Sequence, residues 1–351
     1  MVFILSNGDA ENAVPAAIKF FVYSIVGSLP VLIGVLVIYF YNGGFTGDYT
    51  FDILKLSQVQ LPVKYQTWLF AAFAFSFALR IPLLPFHTWF IDSCVSTSTG
   101  GCIMLAAVAM KMGLYGFLRF CLPFFPYAVE QFTPVLFAIG IATLIYMAAI
   151  AIIQNDMKKV AVYGAISQLS FVIIGIFTLN NQSVQGSLLH MLNHGLSIAA
   201  LFFVTGMIYD RKKTNLMTDF GGLAKRAPVL TTLFVIIVLS LIGLPGLNGF
   251  VGEFLILLGV FFNHKIVAIL VLAGAVLTIV YMLKLFQTVM LGKLQNVRNI
   301  KFDDLSKREI AVLTPIIVLM VLIGAYPNLF LEKVAPAVDH LIKTAALWQN
   351  H

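Results

Sequence analysis

Residues 228–260, PVLTTLFVIIVLSLIGLPGLNGFVGEFLILLGV, decide the fold. The run is apolar almost throughout and is longer than the ~20 residues that one straight crossing of a bilayer needs. Gly243, Pro245, Gly246 and Gly249 split it near its middle, which predicts two half-helices joined by an unwound turn. An unwound backbone at membrane depth leaves amide groups that lipid does not satisfy, so it is tolerated only where other protein covers it. The stretch therefore calls for a bundle around it and is not a lone anchor.

The rest of the chain supplies that bundle. Sixty per cent hydrophobic residues against 11% charged cannot be wrapped around one soluble core, and the apolar runs lack the alternation of barrel strands, so an all-α polytopic membrane protein is expected. Nine candidate spans lie near 16–42, 66–86, 97–121, 129–153, 159–179, 183–208, 228–260, 265–290 and 309–331. The second, like the seventh, is interrupted, here by Pro82 and Pro85. Loops are short, and one membrane domain is predicted. The opening MVFILSNGDAENAV lacks the basic and apolar regions of a cleavable signal, so insertion is left to the helices themselves. Cys94, Cys102 and Cys121 show no CxxC spacing and fall in or beside apolar segments, which reads as packing and argues against zinc, iron–sulfur clusters or disulfides.

A net charge of +7 would suit nucleic acid if it formed a stripe, but it is distributed by loop. Lys158 and Lys159 precede the fifth span; Arg211, Lys212, Lys213, Lys225 and Arg226 precede the seventh; Lys293, Arg298, Lys301, Lys307 and Arg308 precede the ninth. The alternate loops hold Lys55, Lys64 and Lys265. This is the positive-inside pattern, which places the three basic loops and Met1 on the cytoplasmic or matrix face and the C-terminus on the other. A missed helix would have put basic loops on both sides.

Charges at membrane depth cost roughly 2.5–3.5 kcal/mol at a span centre on insertion scales, so each asks for a reason. Arg80 stands just before the proline break; it either snorkels to the headgroups or serves the site. Lys111 sits mid-span, with Tyr115 and Arg119 expected on its face at i+4 and i+8, and reads as a proton carrier or as a lysine paired to a carboxylate. His190 and His194 share a helix face at i and i+4, the spacing of a metal pair, but no third ligand accompanies them; a proton relay or satisfied bundle histidines are the open readings. Glu253 follows the glycine-rich break, as a proton-binding carboxylate or as the cap of a half-helix. Lys284, near the cytoplasmic end of the eighth span, is expected to snorkel, the other reading being that it supports proton translocation together with Arg80 and His190. Each broken helix is followed by one bearing a lysine, Pro82 then Lys111 and Pro245 then Lys284, which hints at an internal repeat.

Six segments, IPLLPFHTWFID (81–92), LAAVAMKMGLYGFLRF (105–120), DMKKVAVYGAISQLSFV (156–172), HMLNHGLSIAALF (190–202), FGGLAKRAP (220–228) and GLPGLNGFVGEFLIL (243–257), occur in the order seen in one family. The chain resembles the antiporter-like subunits of respiratory complex I, of the M type (mitochondrial subunit 4), which are related to Mrp-type cation/proton antiporters and membrane-bound hydrogenase subunits. The resemblance implies an inverted-repeat antiporter-like fold in which lysines, a histidine and a terminal acid conduct protons. Lys111 matches the central lysine, His194 the histidine and Glu253 the terminal residue, whose acidity marks the M type. It also implies a truncated first repeat over 16–121, a second repeat over 129–290, a final span at 309–331 and a tail at 332–351. The family has further helices before residues 16–42, and MVFIL resembles the end of one; the expectation is a start assigned too late, a fragment, or a split chain whose missing helices are supplied separately. Three departures stand out. Arg80 replaces a lysine and cannot pass a proton; Gln168 replaces a histidine; and IDSCVSTSTGG keeps Asp92 but loses a histidine and a proline. The implied function is proton translocation within a complex I-type NADH:quinone oxidoreductase in a bacterial or mitochondrial inner membrane. Other membrane subunits and the lipid bilayer would be the partners, not nucleic acid. No cofactor is expected on this chain; NADH, FMN, iron–sulfur clusters and quinone are expected on partner subunits. An Mrp-type antiporter, a hydrogenase subunit and a non-pumping structural paralogue are the alternatives.

Overall fold

The computed structural model describes residues 13–59, 61–292 and 302–347, the last four without their side chains. Met1, the opening MVFIL, Lys293, Arg298, Lys301 and the end of the predicted tail lie outside them. Among the described residues, besides two single 3₁₀ turns, thirteen helices run α1 (Ala13–Thr46), α2 (Ile53–Leu56), α3 (Val63–Arg80), α4 (Thr88–Ser96), α5 (Thr99–Phe124), α6 (Pro126–Ile153), α7 (Met157–Phe177), α8 (Asn181–Lys212), α9 (Pro228–Leu241), α10 (Asn248–Asn263), α11 (Lys265–Met290), α12 (Lys307–Ala325) and α13 (Asn328–Leu347). Among the described residues no strand occurs. Seven of the helices are long and apolar enough to cross a membrane. The broken pairs α3/α4 and α9/α10 fall on the two spans predicted to be interrupted.

Burial orders these helices from the centre outward. In α7 the most apolar window is 94% buried, against 17% in α1 and 22% in α12. A helix that is apolar all round and also covered all round is the pillar of the bundle, and α6, α8 and α10 pack around it. α8 and α10 approach closely, through small residues. A Cβ placed on Gly252 would lie 2.7 Å from His190 Cβ and 2.8 Å from its Cα, and one on Gly186 would lie 2.8 Å from the Ile256 nitrogen. Close backbone approach of this kind is how helices associate where lipid removes the hydrophobic drive between them.

Loops that the charge pattern put on one face meet there. Met157 and Met217 donate to Asn215 and Asn155 carbonyls at 2.9 and 2.7 Å, Gly222 donates to Leu291, and Arg211 forks onto Glu309 with two bonds of 2.7 Å. Arg211 also donates to the Asp303 and Asp304 carbonyls. At the opposite face Asn180 and Asn263 tie the α7–α8 and α10–α11 connections together.

Three expectations need correction. The second span does not end at 86: its second half continues as α4 to Ser96, because the turn after Arg80 restarts a helix at Thr88. The ninth span stops at Ala325, and the Tyr326–Pro327 break starts a new amphipathic helix, α13, where a tail was expected. Its apolar side covers the ends of α5 and α8. Lys284 does not snorkel. Its ammonium donates to the Ile152 carbonyl at 2.6 Å, in the last turn of α6, where unbonded carbonyls and the helix dipole both favour a cation.

Candidate functional site

The break between α9 and α10 organises the site. Pro245 has no N–H to give the Leu241 carbonyl four residues before it, so that carbonyl loses its helical partner. Gln168 of α7 replaces it, donating from Nε2 at 3.3 Å. Gly243 (φ +73°) and Gly246 (φ +94°) take the left-handed turns the crossing requires. Gly243 has a second use, since a Cβ there would sit 2.7 Å from Glu253 Oε2. A side chain at 243 would displace the carboxylate.

α10 is held to α8 by a buried amide and hydroxyl network. Asn193 Nδ2 donates to the Asn248 carbonyl at 2.6 Å, Asn248 Nδ2 donates back to the Asn193 carbonyl at 3.2 Å, Ser240 donates to Asn248 Oδ1 at 2.5 Å, and the Ser197 and Ser240 hydroxyls are 2.7 Å apart. All four residues are buried. None was singled out from sequence. The available signal was Pro245 itself: a proline inside a membrane helix frees a carbonyl, and polar residues on neighbouring helices are needed to answer it.

Lys111 lies in α5 between two π-helical stretches, Met104–Ala109 and Phe117–Cys121. Such wide turns are rare and concentrate at functional sites. Nζ donates to the Ala106 carbonyl at 2.6 Å and stands 3.0 Å from His194 Nδ1. Gly195 lets α8 approach α5 here, since a Cβ on it would stand 3.3 Å from the Ala107 carbonyl oxygen. Among the described residues no carboxylate pairs with Lys111. Tyr115 and Arg119 are exposed and do not bond to it; the lysine turns toward α8 instead.

His190 and His194 are buried side by side, their ring centroids 6.1 Å apart. Both ring nitrogens of His190 and Nε2 of His194 have no hydrogen-bond partner among the described residues. The two histidines, Gln168, Ser197, Ser240, Leu241, Gly249 and Glu253 enclose a cavity of about 10 Å³. Glu253 is in the second turn of α10 and caps nothing: the N-cap, Leu247, carries no side-chain bond. Thus Lys111, His194, His190 and Glu253 are brought together, with Gln168 among them. Lys284 is not; it serves α6. Arg80 ends α3, half-buried, with no hydrogen-bond or ion-pair partner among the described residues, while Asp92 pairs instead with Lys19 at 2.6 Å. No group of three metal-ligating side chains occurs among the described residues.

Two broken helices flanking a pair of buried histidines and a half-buried lysine and glutamate define a multi-pass membrane protein of the antiporter-like kind. Residues 1–278 match the family described as NADH:quinone oxidoreductase/Mrp antiporter, transmembrane, and the chain belongs to it. It is 38% identical to NADH-ubiquinone oxidoreductase chain 4 of Marchantia polymorpha, covering 96% of this chain and 67% of that one. It is 36% identical to NADH-quinone oxidoreductase subunit M of Rhodobacter capsulatus, covering 98% and 68%. A chain of respiratory complex I from Thermus thermophilus superposes with a TM-score of 0.90 at 28% identity, over 98% of this chain and 72% of that one. A chain of the Mrp complex from Dietzia sp. DQ12-45-1b shares the fold, with a TM-score of 0.83 at 19% identity over 96% and 71%.

Proposed function

We propose that this chain is a proton-translocating membrane subunit of a complex I-type NADH:quinone oxidoreductase, and that its proton passes from Lys111 through His194 to Glu253. One observation carries the residue assignment. The lysine ammonium faces His194 Nδ1 at 3.0 Å, the other ring nitrogen of the same histidine has no partner among the described residues, and His194 and Glu253 line one cavity. An imidazole can accept a proton at one nitrogen and release a different one from the other. With Lys111 charged, Nδ1 accepts and the histidine carries its hydrogen on Nε2. When Lys111 transfers its proton to Nδ1, the Nε2 hydrogen becomes the one to leave, toward Glu253. Arg80 takes no part as a carrier, because a guanidinium is not deprotonated in proteins. It acts as a fixed positive charge at the end of α3.

The family and the likeness to subunit M and chain 4 relatives support the assembly: other membrane subunits are the partners, and NADH oxidation and quinone reduction take place on partner chains. In the assembled enzyme, Lys111→Ala or Glu253→Ala abolishes the proton translocation coupled to quinone reduction, measured by dye quenching in sealed vesicles. Unchanged pumping in both variants rejects the assignment. Sodium-dependent proton exchange by the isolated chain in liposomes would replace it with a secondary antiporter.

A further inference from the structure

α12 lies at the edge of the bundle, its most apolar window 22% buried, yet it touches the α9–α10 break directly. Its buried side runs through Leu313, Ile317, Met320 and Ile323, and Gly324 follows them as the penultimate residue. A Cβ on Gly324 would lie 2.4 Å from the Gly246 carbonyl oxygen and 2.5 Å from both the carbonyl carbon and the Cα of Leu247. All three are backbone atoms of the unwound turn, so the helix rests on the turn itself and not on side chains that could give way. Glycine weakens a helix relative to alanine, and close backbone approach is one of the reasons a helix carries it.

The lead into the same helix grips the other end of α9. The N-cap of α9, Ala227, offers no side-chain bond, so amides of the first turn need acceptors from elsewhere. Asp304 supplies two: Oδ2 accepts from the Val229 N–H at 2.9 Å and Oδ1 from the Leu230 N–H at 3.0 Å. A carboxylate there also meets the positive end of the helix dipole. Two residues on, Ser306 and Glu309 form the capping box that starts α12, and Arg211 holds Glu309. α9 has 14 residues, a rise of about 21 Å; Asp304 holds its start, and Gly324 backs the turn at its end.

We infer that α12 is a strut that fixes the α9–α10 break, and that Asp304 and Gly324 are positioning residues for Glu253. The link to the carboxylate is Gly243, where a Cβ would sit 2.7 Å from Glu253 Oε2. Glu253 therefore lies against one end of the turn while α12 presses on the other. Asn248, the residue after Leu247, ties α10 to α8. α8 thus sets the half-helix that carries Glu253, and α12 sets the turn that the carboxylate rests on. A methyl group at 324 needs about 3.3 Å from a carbonyl oxygen, so helix and turn would part by about 1 Å.

The inference builds on Glu253 as a proton carrier, and the test keeps the two apart. Infrared difference spectra are recorded across a pH titration on the full chain in lipid bilayers, the Glu253 carboxyl C=O band being assigned by its loss in Glu253→Gln. Pumping and the KM for quinone are measured in the assembled enzyme. Gly324→Ala and Asp304→Ala each move the Glu253 band and slow pumping about tenfold or more, with the KM for quinone unchanged. Asp304→Asn keeps one acceptor oxygen and is the milder change if alanine prevents assembly; it moves the band about half as far and slows pumping about threefold. A band that stays in place in Gly324→Ala or in Asp304→Asn overturns the inference, as does wild-type pumping in either. Glu253→Gln that pumps like the wild type overturns the relay instead, and the strut is then read from the band alone.

Discussion

Replacing Gly252 by alanine puts one methyl group into the tight contact between α8 and α10 beside the site. That methyl would stand 2.7 Å from His190 Cβ, 2.8 Å from its Cα and 3.0 Å from its nitrogen. Carbon atoms pack at about 3.5–4.0 Å, and these three atoms belong to the backbone of α8 or to the base of its side chain, so no rotamer change relieves them. The two helices must part by about 1 Å. Overpacking of this size costs roughly 1–3 kcal/mol. His190 travels with α8, and a displacement of about 1 Å between reacting groups is worth up to ~100-fold in rate. The expected result is a full chain destabilised by about 2 kcal/mol, read from circular dichroism during titration of mild-detergent micelles with sodium dodecyl sulfate. Pumping in the assembled enzyme falls at least tenfold. Gly100→Ala is the control, since a Cβ there meets nothing within 4 Å. If Gly252→Ala keeps both its unfolding midpoint and its pumping, the tight α8–α10 contact is not what holds His190 in place.

Arg211→Ala strands Glu309 and strips two backbone carbonyls of their donor; with the pair only 19% and 22% exposed, a loss of about 2 kcal/mol is expected in the same unfolding titration. Asn248→Ala breaks the tie between α8 and the half-helix break, at a cost of about 2 kcal/mol, and Asn248→Asp should recover less than half of it because it lacks the Nδ2 donor. Lys284→Met removes the cation from the end of α6 and costs about 1 kcal/mol, with pumping retained; loss of pumping without loss of stability would return this lysine to the proton path.

The fold was legible where it depends on length and breaks. Nine spans and two interruptions follow from apolar run length, and Gly243, Pro245 and Gly246 announce the second break. The ends of helices were less legible: the restart at Thr88 follows a turn tied by Trp89 donating to Leu79 and by Leu84 donating to Thr143 of another helix. In the site, Lys111, His194 and Glu253 stood out as ionisable groups in apolar surroundings, a cost visible without coordinates. Gln168 stood out only as a departure from a pattern. Its pairing with Leu241, and the network around Asn248, are relations between residues far apart in the chain, and periodicity carries no trace of them. Lys284 misled for a related reason: a lysine close to a span end looks the same whether it reaches water or a neighbouring helix terminus.

The basic residues that mark one face are not idle once the chain has folded. Lys158 donates to the Val95 and Thr97 carbonyls at 3.2 and 2.6 Å, closing the end of α4, and Arg211 locks the start of α12. During insertion these side chains are free charges that resist crossing; in the finished bundle they are bonds between helices that entered separately. Neutralising Lys158 or Arg211 to probe orientation would therefore also unfasten a joint. The phenotype would mix misinsertion with loosened packing. A charge added back on a neighbouring loop residue would restore the first and leave the second.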